Sequence, residues 1–284
     1  IRDRSPSRGL GDVYKRQKNQ ILQNAIEIFP FLDENFVVEA FLFQGEKVDD
    51  IRVKETKLWN SEDSIDTYIE NANVKLFGNG NEFVLSYNSV EETYFTDDEI
   101  EIISGNTYGL EVTVGDRTAS AETIVPTKPI GIRMTDDRIV VPPLVLSPAL
   151  PNILANLFQN ARTNVLWDNQ SEEYHYLTIK YDGEDEDPIF SEEIPGQVGE
   201  FFSNFSLQSA PTKGNQYNVI CMSLKNYGKY KVTLYKINKD YYSLFENQVQ
   251  DGTDLNEPPS NVVNAFGIFS AFASDTTSFE IVRN

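Results

Sequence analysis

His175 is the only histidine in the 284 residues and Cys221 the only cysteine, so any chemistry that needs either type must use these two positions. A Ser-His-Asp or Cys-His site places its base within reach of a nucleophile. His175 stands instead in an alternating run between Tyr174 and Tyr176, away from any turn, and Cys221 lies in the apolar stretch YNVICMSL, where a free thiol behaves as a small hydrophobe. Neither position reads as catalytic, and a His-rich or Cys-type zinc site is excluded by count. Oxygen ligands are plentiful. The loop DGEDEDP, from Asp182 to Pro188, has the composition of a calcium site, with Asp182, Asp185 and Asp187 as candidate Ca2+ ligands. Its spacing departs from an EF-hand, because Gly183 falls at the second position, and a solvated loop between strands is the expected reading. Paired carboxylates of the kind that hydrolyse glycosides are available in number, but nothing in the sequence singles out one pair. Tyrosines crowd one region: Tyr227, Tyr230, Tyr241 and Tyr242 are candidate ligand contacts, since aromatic faces hold sugars and peptides, although sandwich cores use tyrosine as freely.

Whatever positions these residues is acidic and folded. Lys and Arg number 24 against 44 Asp and Glu, a formal net charge of -20. That balance repels phosphate, so nucleic acid is not an expected partner, and it provides no polybasic patch for anionic lipid. An aromatic content of 12% separates the chain from a disordered acidic tail. No run of 18 apolar residues occurs, so no helical membrane span is expected. Residues 1–17, IRDRSPSRGLGDVYKRQ, match neither a helix nor a strand period and resemble translated adapter-derived sequence. They are set aside from the fold.

From Phe36 onward the pattern is that of strands. FVVEAFLF is a nearly continuous apolar run, as expected of a central strand buried on both faces. ANVKLFGNGNEFVLSY reads as a hairpin turning at Asn79-Gly80, and YGLEVTVGDRTASAETIV as a second one turning at Gly115-Asp116. In DIRVKETKLW, Ile51, Val53 and then Leu58 carry the apolar pattern. Pro126 and Pro129 mark a boundary near Lys128. Beyond it Ile153, Leu154, Leu157, Phe158 and Ala161 follow helical spacing after Pro151, and KDYYSLFENQVQDG reads as a brief helical turn. The expected architecture is all-β: two β-sandwich domains of immunoglobulin or fibronectin type, residues 18–127 and 128–284, with a helical insertion near 151–163. The closing stretch PPSNVVNAFGIFSAFASDTTSFEIV reads as a terminal hairpin: a strand over AFGIFSAF, a polar turn at Ser274 to Thr277, and a last strand SFEIV with Phe279 and Ile281 inward. Truncation before Asn264 is then expected to unfold the second domain. The sequons at Asn169 and Asn204 read as loops.

Several stretches, in order, resemble the Bacteroidota family known as domain of unknown function 4249. They are FVVEAFLFQGE, ENANVKLFGNGNEFVLSY, ISGNTYGLEVTVGDRTASAETIVPTKPI, LWDN followed by YHYLTIKYD, and EPPSNVVNAFGIFSAFASDTTSFEI, together covering about residues 35 to 282. The resemblance implies an exported lipoprotein of unassigned activity, lipid-anchored at the cell outer membrane or surface, facing outward or toward the periplasm, and encoded beside a TonB-dependent outer-membrane receptor. It implies no catalytic residues. At Asn264-Ala265 the family often has glycines, so this chain departs from the pattern there. The expected function is therefore a non-enzymatic accessory or binding protein whose partner is a TonB-dependent receptor. A surface adhesin or structural protein is the alternative, and a carboxylate-dependent hydrolase a more distant one.

Overall fold

FVVEAFLF forms β1 (Phe36–Phe43), and every one of its residues is buried. Its neighbours explain the unbroken apolar run. It lies between β14 (Phe266–Val282), parallel, with Val37 opposite Phe266, and β2 (Ile51–Glu55), antiparallel, with Val38 opposite Val53. A strand paired on both edges and covered on both faces has no solvent side to alternate toward, and each large side chain it buries contributes about 1.5–3 kcal/mol. The computed structural model describes residues 36–56, 66–191, 207–246 and 259–284; Leu58 and Asn204 lie outside them.

The described chain divides into two compact units. In the first, the strand order is β14-β1-β2-β5-β4-β3-β6-β7, where β3 is Asn73–Gly78, β4 Asn81–Asn88, β5 Thr93–Phe95, β6 Thr107–Val114 and β7 Arg117–Ile124. Both expected hairpins form. Asn79 and Gly80 have φ of 53° and 79°, the two positive values of a type I′ turn, and Gly78 faces Asn81 across it. Gly115 turns the β6–β7 hairpin with φ 62°. Inward residues such as Val74, Leu76, Leu110, Val112 and Ala119 join Val38, Leu42 and Phe269 in one core cluster.

The boundary lies between Thr127 and Lys128, and the second unit begins with β8 (Ile130–Met134) and β9 (Arg138–Val140). Helix α1 (Leu150–Asn160) starts with proline in its first turn and buries Leu150 and Leu157. Then come β10 (Arg162–Asp168), β11 (His175–Tyr181), β12 (Gln216–Ile220) and β13 (Gly228–Ile237). One sheet has the order β12-β10-β8, and the other runs β11-β13-β14 with β9 parallel to the end of β14. Val165, Trp167 and Val219 from the first share a core with Leu177, Ile179, Val232, Leu234, Phe279 and Ile281 from the second, which is the packing of a sandwich.

Two sequence expectations are corrected. The described residues 237–246 and 259–273 pack with the first unit, although a division at residue 128 alone assigns them to the second. They contain helix α2 (Lys239–Glu246), capped by Asn238, whose Oδ1 accepts from the Tyr241 N–H at 3.1 Å while its Nδ2 donates to Thr123 Oγ1 at 2.9 Å. Nor is the C-terminal stretch a hairpin. It is one strand of 17 residues, continuous through Ser274 to Thr277, with Phe266–Ala273 belonging to the first unit and Ser274 onward to the second. Phe279 and Ile281 do point inward, at 2% and 1% exposure.

Candidate functional site

Alternation along β3, β4, β6 and β7 sends Val74, Leu76, Leu110, Val112, Ala119 and Ala121 into the core of the first unit, and the intervening residues to the opposite face. Register sets what meets there. Glu82, Phe77, Gly109 and Glu122 form one row across the four strands, and Val84, Lys75, Glu111 and Ser120 form the next. A hollow of about 950 Å³ opens over this face, and Glu82, Glu111 and Glu122 are the charged residues that line it.

Its floor is unusual for a solvent-facing position. Phe77 is half-buried there, opposite a glycine in the middle of a strand. A Cβ on Gly109 would stand 3.6 Å from the Phe77 Cβ, so a side chain fits sterically, and its absence leaves one flank of the ring uncovered. The rim is held by hydrogen bonds. Asn79, at the β3–β4 turn, donates to Glu101 O at 3.0 Å and accepts from Asn106 Nδ2 at 2.7 Å. The Asn261 side chain brackets the Phe269 backbone, donating to its carbonyl at 2.8 Å and accepting from its N–H at 2.9 Å. Val263 exchanges both backbone bonds with Ser120, at 2.8 and 3.2 Å. Lys75 bonds Glu82 at 2.8 Å, and this hydrogen bond and charge, with Glu111 nearby, hold the ammonium above its usual pKa. Three carboxylates facing one ammonium leave the hollow electronegative.

The residues singled out in the sequence lie elsewhere. Tyr227 and Tyr230 belong to the second unit and Tyr241 and Tyr242 to the first, so their closeness in sequence makes no common platform. Tyr230 stacks on Phe279 at 5.4 Å between ring centres, bonds Asn226 O at 2.7 Å, and has its phenol pushed up to about 12 by burial. Tyr227 is buried beneath the Arg283 guanidinium, 4.8 Å from its ring centre. Tyr241 is fully buried, edge-on to Phe272 and Phe41, while Tyr242 is half-buried. Three of the four are core side chains. The aspartates are also dispersed: Asp187 pairs with Arg283, Asp182 lies 3.7 Å from Lys229, and the Asp185 carbonyl accepts from Tyr181 Oη at 2.6 Å. Among the described residues no three His, Cys, Asp or Glu side chains gather as a metal site, so the structure does not bring Asp182, Asp185 and Asp187 together as Ca2+ ligands.

His175 is 2% exposed, its Nδ1 3.0 Å from Glu173 O and its ring beside Trp167; burial, opposed in part by that hydrogen bond, lowers its pKa. Burial pushes the Cys221 thiol up to about 12, which suits a core side chain and not a nucleophile. Asn169 anchors its loop, its Nδ2 donating to the carbonyls of Glu173 and Lys213 at 2.9 Å each.

The row of Glu82, Phe77, Gly109 and Glu122 went unread in the sequence, because it exists only once four strands are in register. Its one local signal was an aromatic at an outward position of β3. Fold and site together define an all-β protein of two units with an open, acidic, aromatic-floored face. The chain belongs to the family described as Domain of unknown function (DUF4249), whose model matches residues 27–278. None of the curated proteins matches it. Among solved structures, the crystal structure of domains A168-A170 from titin is similar at 8% identity, with 88% of this chain and 67% of that chain covered and a TM-score of 0.22. At that score the similarity adds nothing to the fold, which rests on the strands themselves.

Proposed function

We propose that this chain is a non-enzymatic binding protein of the cell envelope, lipid-anchored at the outer membrane or cell surface and acting as accessory to a TonB-dependent outer-membrane receptor. The observation that carries the binding role is the hollow over β4-β3-β6-β7. It is preformed, its rim is fixed by the Asn79 and Asn261 hydrogen bonds, and its floor exposes an aromatic flank that folding alone would cover with a side chain at position 109. An open face of this kind suits an extended or macromolecular partner more than a small substrate needing enclosure. Envelope location and receptor partnership are supported by the family, through the resemblance of its members to exported lipoproteins.

The test is affinity purification of the tagged full-length protein from native membranes after mild cross-linking, followed by mass spectrometry. A TonB-dependent receptor should be recovered in stoichiometric yield. Repeated recovery of the protein alone would remove the receptor from the proposal.

A further inference from the structure

The outer face of β4-β3-β6-β7 carries a specific charge and shape, and these narrow what can lie on it. The row across its centre is Glu82, Phe77, Gly109, Glu122, so an aromatic ring with one flank open sits between two carboxylates contributed by strands on either side. Glu111 stands in the adjacent row, next to Lys75 and Ser120. The residues lining the hollow include these three glutamates and no lysine or arginine. An ammonium or guanidinium gains from both features at once, as cation over ring and as counter-ion to carboxylate. An anion gains from neither.

We infer that this hollow binds a basic segment of a partner protein in extended form, with a Lys or Arg side chain laid over Phe77 between Glu82 and Glu122. The inference deepens the binding role proposed above and rests on it. Extended geometry follows from the shape: the hollow stretches across strands and is open to solvent, and a peptide with alternate side chains pointing down meets successive rows of the face. The same charges disfavour a nucleic acid or an anionic lipid headgroup as occupant.

Binding is read by fluorescence anisotropy on the full-length protein, using a fluorescein-labelled decapeptide of alternating lysine and threonine, with glutamate replacing lysine in the control peptide. Saturable binding of the basic peptide and none of the acidic one is expected. Glu122→Lys should weaken binding at least about tenfold, the loss expected of one central contact. Glu184→Lys makes the same change in net charge on an exposed loop that does not line the hollow and should leave affinity within about twofold. Gly109→Val fills the floor from a position where a Cβ meets no clash, and should weaken binding while the circular dichroism spectrum and Tm are retained. Equal losses in Glu122→Lys and Glu184→Lys would reduce the effect to diffuse charge and overturn the site. So would full-strength binding in both Glu122→Lys and Gly109→Val. The receptor experiment separates the two readings: peptide binding without receptor recovery removes the receptor and keeps the site, whereas undiminished receptor recovery by the Glu122→Lys protein keeps the receptor and removes the site.

Discussion

Lys54 is a position where a single substitution should cost a large share of the stability, and the structure says how much. Its ammonium is 2.5 Å from Glu39 Oε2 and 3.3 Å from Asp66 Oδ2, with the Tyr68 ring centre at 5.6 Å. The Lys54 and Glu39 side chains are 3% and 7% exposed, and Asp66 is 22% exposed. Glu39 lies in β1, paired on both edges, so it cannot swing toward solvent without breaking the sheet. Lys54→Met keeps the length and apolar stem but takes the counter-ion from the buried Glu39 and one contact from Asp66. Removing one member of a buried pair costs about 3–5 kcal/mol, and the partial hydration open to Asp66 places the expectation at the lower end, about 3 kcal/mol. Set against a total stability of about 5–15 kcal/mol, that is a large fraction. In urea melts followed by circular dichroism, with m near 2–3 kcal/mol/M, the midpoint should fall by about 1 M at unchanged m. The pair itself need not be stabilising relative to an apolar substitute, because desolvation offsets much of its attraction. Glu39→Gln combined with Lys54→Met should therefore recover much of the single-mutant loss, and the cycle should show a coupling of about 1–3 kcal/mol. A loss below about 1 kcal/mol in Lys54→Met, or a double variant no better than the single one, would mean that water or another cation already serves Glu39 and that the reasoning about burial is wrong.

Gly267 has φ 127°, and a Cβ built there collides with the Val38 carbonyl in the neighbouring strand, so Gly267→Ala should cost more than about 3 kcal/mol; Gly45→Ala, at φ 72° in open space, should cost about 1 kcal/mol. Comparable Tm values for the two variants would dissociate the β1–β14 pairing from that glycine. His175 contributes a pH dependence of definite sign. Above about pH 7 the imidazole is neutral folded and unfolded; as pH falls through about 6.5 the unfolded chain takes up a proton that the buried ring resists, and stability is lost down to the lowered folded pKa. Between pH 7.5 and 5 the Tm of the native protein should drop further than that of His175→Gln, and parallel curves would show that the ring is hydrated when folded.

Much of the fold was legible because local chemistry and tertiary demand agree. FVVEAFLF is apolar throughout and occupies a doubly covered strand; Asn79-Gly80 supplies the two positive φ values its turn requires; Pro126 and Pro129 flank the boundary at Lys128. The C-terminal stretch failed because Ser274 and Asp275 are turn formers in isolation. Thr276 and Thr277 are β-branched, no glycine or proline interrupts them, and no residue from Ser274 to Thr277 takes a positive φ, so the strand continues. The consequence for truncation before Asn264 is larger than a sequence reading of one terminal hairpin suggests. It removes the parallel partner of Val37 to Phe43 in the first unit together with Phe279 and Ile281 from the core of the second.

The site was hidden for a different physical reason. Tyr227, Tyr230, Tyr241 and Tyr242 are prominent because they are close in sequence, yet strand and helix geometry send three of them into two separate cores. Glu82, Phe77, Gly109 and Glu122 are scattered over 46 positions and inconspicuous singly, and only the pairing of four antiparallel strands sets them in one row. A one-residue slip of β6 against β3 would carry Gly109 to the buried face and close the hollow over Phe77 with a side chain, so the site is a property of register. Register in turn is fixed by the two tight turns at Asn79-Gly80 and Gly115 and by the inward rows of Leu76 with Leu110 and Val74 with Val112. The residues that make the face electronegative and open are thus specified by residues that never touch it.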